Sequence, residues 1–154
     1  MPNFIKSTLL LIGLGLFMTA CDSKVKSEQS TTKSTLQKYG NHYGIPWEKD
    51  LETAFSKAKT EKKIVMVMAV SEGCKWCEKM KKETLSNPKV AQKLKNYILV
   101  MADRETPSEK EQLPPFKHVP IIFFMSHEKE ALDNLRGYFA ADDFLEYLTD
   151  FEEE

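Results

Sequence analysis

Residues 64–70, IVMVMAV, are seven apolar residues with no polar position among them, and they run through Ser71-Glu72-Gly73 into Cys74-Lys75-Trp76-Cys77. A strand with one wet face alternates apolar and polar residues, so a short run without alternation reads as a strand covered on both faces, typical of the centre of an α/β sheet. This segment therefore demands a layer of structure on each side of the sheet. It also leads to two thiols three positions apart where a helix begins. The chain has one other cysteine, Cys21, and a pair held this close serves structure, metal binding or redox chemistry.

The flanking patterns supply the layers. Trp47, Leu51, Ala54, Phe55 and Ala58 recur at helical spacing and predict an amphipathic helix over about 48–61. A helix over 74–85 would place Cys77, Met80 and Thr84 on one side, and Pro88 suits the first turn of another short helix with Val90, Ala91 and Leu94 inward. Residues 97–103, YILVMAD, predict a second buried strand, parallel to the first because a helical crossover joins them. The segment 104–118 is polar and carries Pro107, Pro114 and Pro115, so any helix in it is short. Val119-Pro120 opens a third strand to Met125, residues 131–136 form a fourth, and Gly137 interrupts before a last helix over 141–150 that buries Phe144, Leu145 and Leu148. The sum is an α/β fold: a mixed four-stranded sheet of two parallel strands plus an antiparallel hairpin, with helices on both faces. Met66, Met68, Met80 and Met101 read as core, and the Lys/Glu-rich run 78–83 as a solvated helix face.

The ends say where such a domain would work. Lys6 precedes a short apolar stretch, residues 9–18, and Thr19-Ala20 lead into Cys21, which is the pattern of a signal peptide. The stretch falls well below the roughly 20 residues of a spanning helix. Met18-Thr19-Ala20-Cys21 resembles the bacterial lipoprotein signal, in which the cysteine receives lipid, and Asp22 resembles the mark that retains some lipoproteins in the inner membrane. The residues from 22 to about 45 are rich in Ser, Thr, Lys and Gln and poor in aliphatics, as in a flexible tether. The organisation expected is thus a signal peptide over 1–20, a lipidated Cys21 and tether over 21–45, and one folded domain over 46–151. A formal charge of −1 with both signs interspersed gives no footprint for nucleic acid.

A Cys-x-x-Cys pair between a buried strand and a helix, followed downstream by a strand that opens with proline, resembles the thioredoxin fold. The landmarks Cys74/Cys77, Pro120 and Gly137 fall in the family's order. KKIVM (62–66), CKWCEKM (74–80), LSNPKV (85–90) and HVP (118–120) are most similar to the periplasmic thioredoxin-like domain of bacterial disulfide-interchange reductases and related secreted proteins. The resemblance implies that Cys74 attacks and Cys77 resolves. A helix N-terminus favours the Cys74 thiolate, and Lys75 and Lys79 add positive potential. Lys75 and Trp76 stand where thioredoxins proper have Gly-Pro, a dipeptide that tunes the redox potential. Met68 stands where the family has a buried Asp that accepts the resolving thiol's proton, a task this leaves to water or to Glu72. Pro120 resembles the family's cis-proline, with the Val119 backbone open to an extended client. Trp76 is a client contact or packing, and His118 a neighbour of the site or a solvated histidine.

The function implied is a thiol-disulfide oxidoreductase, tethered to the membrane on the periplasmic side of a bacterial envelope, inner membrane favoured. It would reduce or isomerise disulfides of exported proteins with electrons from a membrane or periplasmic donor, using protein sulfur and no cofactor. Net oxidation, or a client-binding lipoprotein without turnover, are the alternatives. Cys74 and Cys77 with any of His42, His118 or His127 lack the spacing of a four-ligand zinc site. A purely structural disulfide over so short a ring would stabilise little.

Overall fold

The computed structural model describes residues 44–153. The expected signal peptide, Cys21, His42 and the tether through residue 43 lie outside the described residues. The order of elements is β1 (Trp47–Glu48), α1 (Leu51–Glu61), β2 (Val65–Val70), α2 (Lys75–Lys79), α3 (Pro88–Lys93), β3 (Ile98–Asp103), α4 (Pro107–Lys110), β4 (Ile121–Met125), β5 (Ala131–Arg136) and α5 (Ala141–Glu153). A π-helical turn, Met80–Leu85, continues α2, and a 3₁₀ turn, Leu94–Asn96, follows α3.

The sheet runs β1-β3-β2-β4-β5. β1, β3 and β2 are parallel, β4 is antiparallel to β2, and β5 returns antiparallel to β4. All six residues of β2 are at most 1% exposed, as the unbroken apolar run requires. Its pleat divides the core in two. Val65, Val67 and Ala69 pack with Leu51, Ala54, Phe55 and Ala58 of α1. Met66, Met68 and Val70 pack with Cys77, Met80, Leu85, Phe144 and Leu148 on the other face. Covering a Leu or Phe side chain in this way stabilises by about 1.5–3 kcal/mol each.

Side-chain caps set the helix starts. Asp50 accepts the Thr53 N–H at 2.7 Å to begin α1, and Asn87 accepts the Lys89 N–H at 2.9 Å ahead of Pro88. The Asp50 cap corrects one expectation: the first helix starts at Leu51, and Trp47 lies in β1, paired with Leu99. Among the described residues the sheet accordingly has five strands, the added one, β1, being too short to display a period. Ile45, expected at the end of the tether, is 2% exposed within the core. The run 78–83 is not simply a solvated face, because Lys81 is buried with its ammonium against Glu78. Leu145 is half-buried where full burial was expected, while Phe144 and Leu148 are in the core.

Thr84, in the π-helical turn, is fully buried and its hydroxyl donates to the Phe139 carbonyl. This bond ties the helix that carries both cysteines to the segment between β5 and α5. Thr84→Val keeps the shape and removes the donor, leaving a carbonyl unpaired; a loss of about 1–3 kcal/mol is expected by urea unfolding. An unchanged midpoint would show the contact to be idle.

Candidate active site

β2 ends at Val70, where the Arg104 N–H donates to the Val70 carbonyl at 2.8 Å and holds the strand end beside β3. The chain then turns through Ser71-Glu72-Gly73. Gly73 has φ +70°, a left-handed conformation that side chains with a Cβ resist. Cys74 is the N-cap of α2, in extended conformation, and Cys77 lies within the first turn.

The two sulfurs are joined in a disulfide, with the Cα atoms 5.2 Å apart. Their surroundings differ. Cys74 is half-buried, whereas Cys77 is 1% exposed in the core layer of Met68, Met80 and Phe144. The Cys77 backbone N–H donates to Cys74 Sγ at 3.1 Å. That N–H is aimed at the sulfur which, once reduced, is the more reachable of the two, and a donor there favours negative charge. The arrangement suits thiol-disulfide exchange through one accessible sulfur and one shielded partner.

Met68 is fully buried, with Met101 and Ile122 as its register neighbours on β3 and β4. The position therefore holds an apolar thioether at the centre of the sheet. Glu72 is exposed on the turn, and so is Lys75 at the start of the helix.

The Val119–Pro120 peptide is cis, as expected. β4 begins with Ile121 opposite Ala69, so this peptide lies at the same end of β2 as the cysteine turn. Pro120 is buried and its carbonyl accepts from the Gly137 N–H at 2.9 Å. Val119 is half-buried and touches both core layers; among the described residues, its N–H and C=O have no hydrogen-bond partner. A groove of about 470 Å³ runs past it, lined by Phe116, Lys117, His118, Pro120 and Arg136 among others. His118 is exposed there.

Trp76 is 57% exposed and leans on Tyr138, ring centroids 5.8 Å apart. The Lys79 ammonium sits 5.4 Å from the indole and 4.4 Å from the phenol ring. Glu83 lies 3.7 Å from Lys79 and accepts from the Tyr138 hydroxyl at 2.8 Å. That hydrogen bond, with Glu83's charge, raises the Tyr138 pKa. Lys79 and Glu83 thus serve the surface around Trp76, a role the sequence reading did not assign them. Tyr138 was missed entirely. The i,i+4 spacing of Lys79 and Glu83 was visible, but Tyr138 stands 55 residues beyond Glu83.

A family model described as thioredoxin-like matches residues 46–126. The thiol:disulfide interchange protein DsbD of Vibrio cholerae serotype O1 is 30% identical over 106 residues, which is 65% of this chain and 18% of that protein. Anterior gradient protein 3 of Mus musculus is 22% identical over 116 residues, covering 75% of this chain and 69% of that protein. Among solved structures, a thioredoxin from Thermus thermophilus superposes with TM-score 0.60 at 24% identity, over 70% of this chain and 86% of its own. The oxidised C-terminal domain of DsbD from Neisseria meningitidis gives 0.54 at 21% identity, over 64% and 90%. At these identities the superpositions establish the fold.

Met68 gives the site a testable direction. An ionised carboxylate beside the sulfurs would oppose a thiolate, so Met68→Asp is expected to raise the pH at which thiolate absorbance develops and make the disulfide harder to reduce. Each unit of that rise corresponds to about 30 mV in glutathione equilibration. Met68→Leu, which adds no charge, should leave both near wild type. A shift of equal size in the two variants would mean that packing, not charge, is responsible.

Proposed function

The chain belongs to the thioredoxin-like family, and from that membership we propose that it is a thiol-disulfide oxidoreductase in which Cys74 attacks and Cys77 resolves. The observation that carries the reading is the unequal exposure of two sulfurs in one disulfide, Cys74 half-buried at a helix end and Cys77 1% exposed beneath it.

In the reducing direction, the Cys74 thiolate attacks one sulfur of a client disulfide. A mixed disulfide forms, and the client's other sulfur leaves as a thiolate that takes a proton from water. Cys77, once deprotonated, attacks Cys74 Sγ, breaks the intermolecular bond and expels the client's first sulfur. The client gains two electrons and the Cys74–Cys77 disulfide is restored. A dithiol donor then reduces it by the same exchange in reverse. With Met68 apolar, the Cys77 proton passes to water.

An extended client segment is held by the unpaired N–H and C=O of Val119 beside Pro120, with Trp76 on the other flank. Reduction or isomerisation is favoured over net oxidation, supported by similarity to a protein named for thiol:disulfide interchange. The chain spans only 18% of that relative, so clients and electron donor are assigned here by chemistry alone. The location proposed is the periplasmic side of a bacterial inner membrane, through a lipid on Cys21. Among the described residues no helix is long and apolar enough to cross a membrane.

In an assay of disulfide reduction in a model protein with an added donor, Cys74→Ser is expected to fall to the uncatalysed rate. Cys77→Ala should retain the first attack and accumulate mixed disulfides, visible on non-reducing gels. Turnover that survives in Cys74→Ser would overturn the assignment. For the anchor, wild type expressed in bacteria fed labelled fatty acid should carry label and Cys21→Ser should not; unlabelled wild type in the soluble periplasm would exclude the lipid.

A further inference from the structure

Among the described residues two large apolar side chains are exposed, Trp76 at 57% and Leu132 at 49%. Leu132 lies on the edge strand β5, whereas Trp76 stands between the two cysteines. A single exposed apolar side chain is ordinary on a protein surface, but this one stands between the two cysteines, so its orientation matters.

That orientation is fixed from several sides. Tyr138 packs on the indole with ring planes inclined by 41°. Lys79 lies over both rings, Glu83 lies beside Lys79, and the Tyr138 hydroxyl donates to Glu83. Tyr138 is itself anchored through its neighbours: the Gly137 N–H donates to the Pro120 carbonyl, and the Phe139 carbonyl accepts from buried Thr84. The segment 137–139 therefore joins the cis-proline to the cysteine-bearing helix, and the tyrosine between those anchors carries the indole.

The charges in this cluster oppose one another. Lys79 faces Glu83, so the pair adds no net charge beside the indole. Exposed Lys75 leaves a positive charge on the same turn, but the ring surface itself offers a client ring offset or edge contact with a surface already ordered, at low entropic cost.

We propose that Tyr138 is a positioning residue that holds Trp76 as a fixed platform beside Cys74, and that the platform selects clients with an aromatic residue next to the disulfide cysteine. This rests on the redox reading above and specifies which clients that site prefers.

The test is single-turnover oxidation of the pre-reduced full chain by two disulfide peptides, identical except for Phe or Ser after one cysteine. Wild type should react about fivefold faster with the Phe peptide below saturation, the size of one ring contact. The difference should lie in the half-saturating concentration and not in the limiting rate. Tyr138→Ala should bring the ratio close to one. Tyr138→Phe, which keeps the ring under Lys79 and loses the bond to Glu83, should retain most of the preference. Tyr147→Phe, which removes another tyrosine hydroxyl bonded to a carboxylate, here Asp133 at 2.8 Å, should keep all of it. Equal rates with both peptides in wild type overturn the proposal. So does a preference that persists in Tyr138→Ala, a Tyr138→Phe variant as impaired as Tyr138→Ala, or a Tyr138→Ala that slows both peptides alike. A wild type oxidised by neither peptide overturns the redox reading as well, which separates the two failures.

Discussion

Everything at the reactive end of this domain depends on one strand being buried on both faces and bonded along both edges. β2 pairs with β3 on one side and β4 on the other, so its backbone N–H and C=O groups are satisfied along both edges while its two apolar faces fix the register. A slip of one residue would turn Met66, Met68 and Val70 toward α1 and send Val65, Val67 and Ala69 to the opposite layer. Neither layer would accept the exchange, because the side chains differ in size. The register with β4 then brings Pro120 opposite the end of the strand, and the turn after Val70 brings Cys74 to the same end. The juxtaposition of disulfide and cis-proline is a property of the sheet before it is a property of the loops.

What the sequence made legible follows from this. Unbroken apolar runs marked β2 and β3, and punctuation by Pro120 and Gly137 framed the hairpin, since these signals are local. β1 was illegible because two residues cannot show a period, and Trp47 fitted a helical spacing by coincidence until the Asp50 cap set the true start. The π-helical turn after α2 was hidden for a related reason: Cys77, Met80 and Thr84 share a face whether or not one turn widens. The burial of Lys81 could not be read from a run of Lys and Glu, because its stem is covered by packing that composition does not report.

At the site, the legible part was covalent and the illegible part was spatial. Cys74, Cys77, Trp76, Val119, Pro120 and Met68 were each named for their position in a pattern. Tyr138 carries no pattern; it meets Trp76 only because the chain returns from β5 alongside the cysteine-bearing helix. Exposed pairs such as Lys79–Glu83 are individually weak. Their effect here comes from sharing partners, one ammonium over two rings and one carboxylate bonded to the same phenol.

Burial of the second sulfur also bears on the pace of the proposed exchange. The first attack uses a sulfur at a helix end, with a backbone N–H already directed at it. The second requires Cys77 to ionise inside a layer of Met68, Met80 and Phe144, where charge is costly and the Met68 thioether cannot take the proton. The two halves of the proposed cycle therefore draw on unequal surroundings, one sulfur at a helix end and the other inside the core. Slow resolution lengthens the life of the mixed disulfide, and a client held longer has time for its own thiols to attack instead. In the proposed exchange a mixed disulfide that resolves slowly stays open to a client's own thiols, with Cys77 as the release when rearrangement stalls.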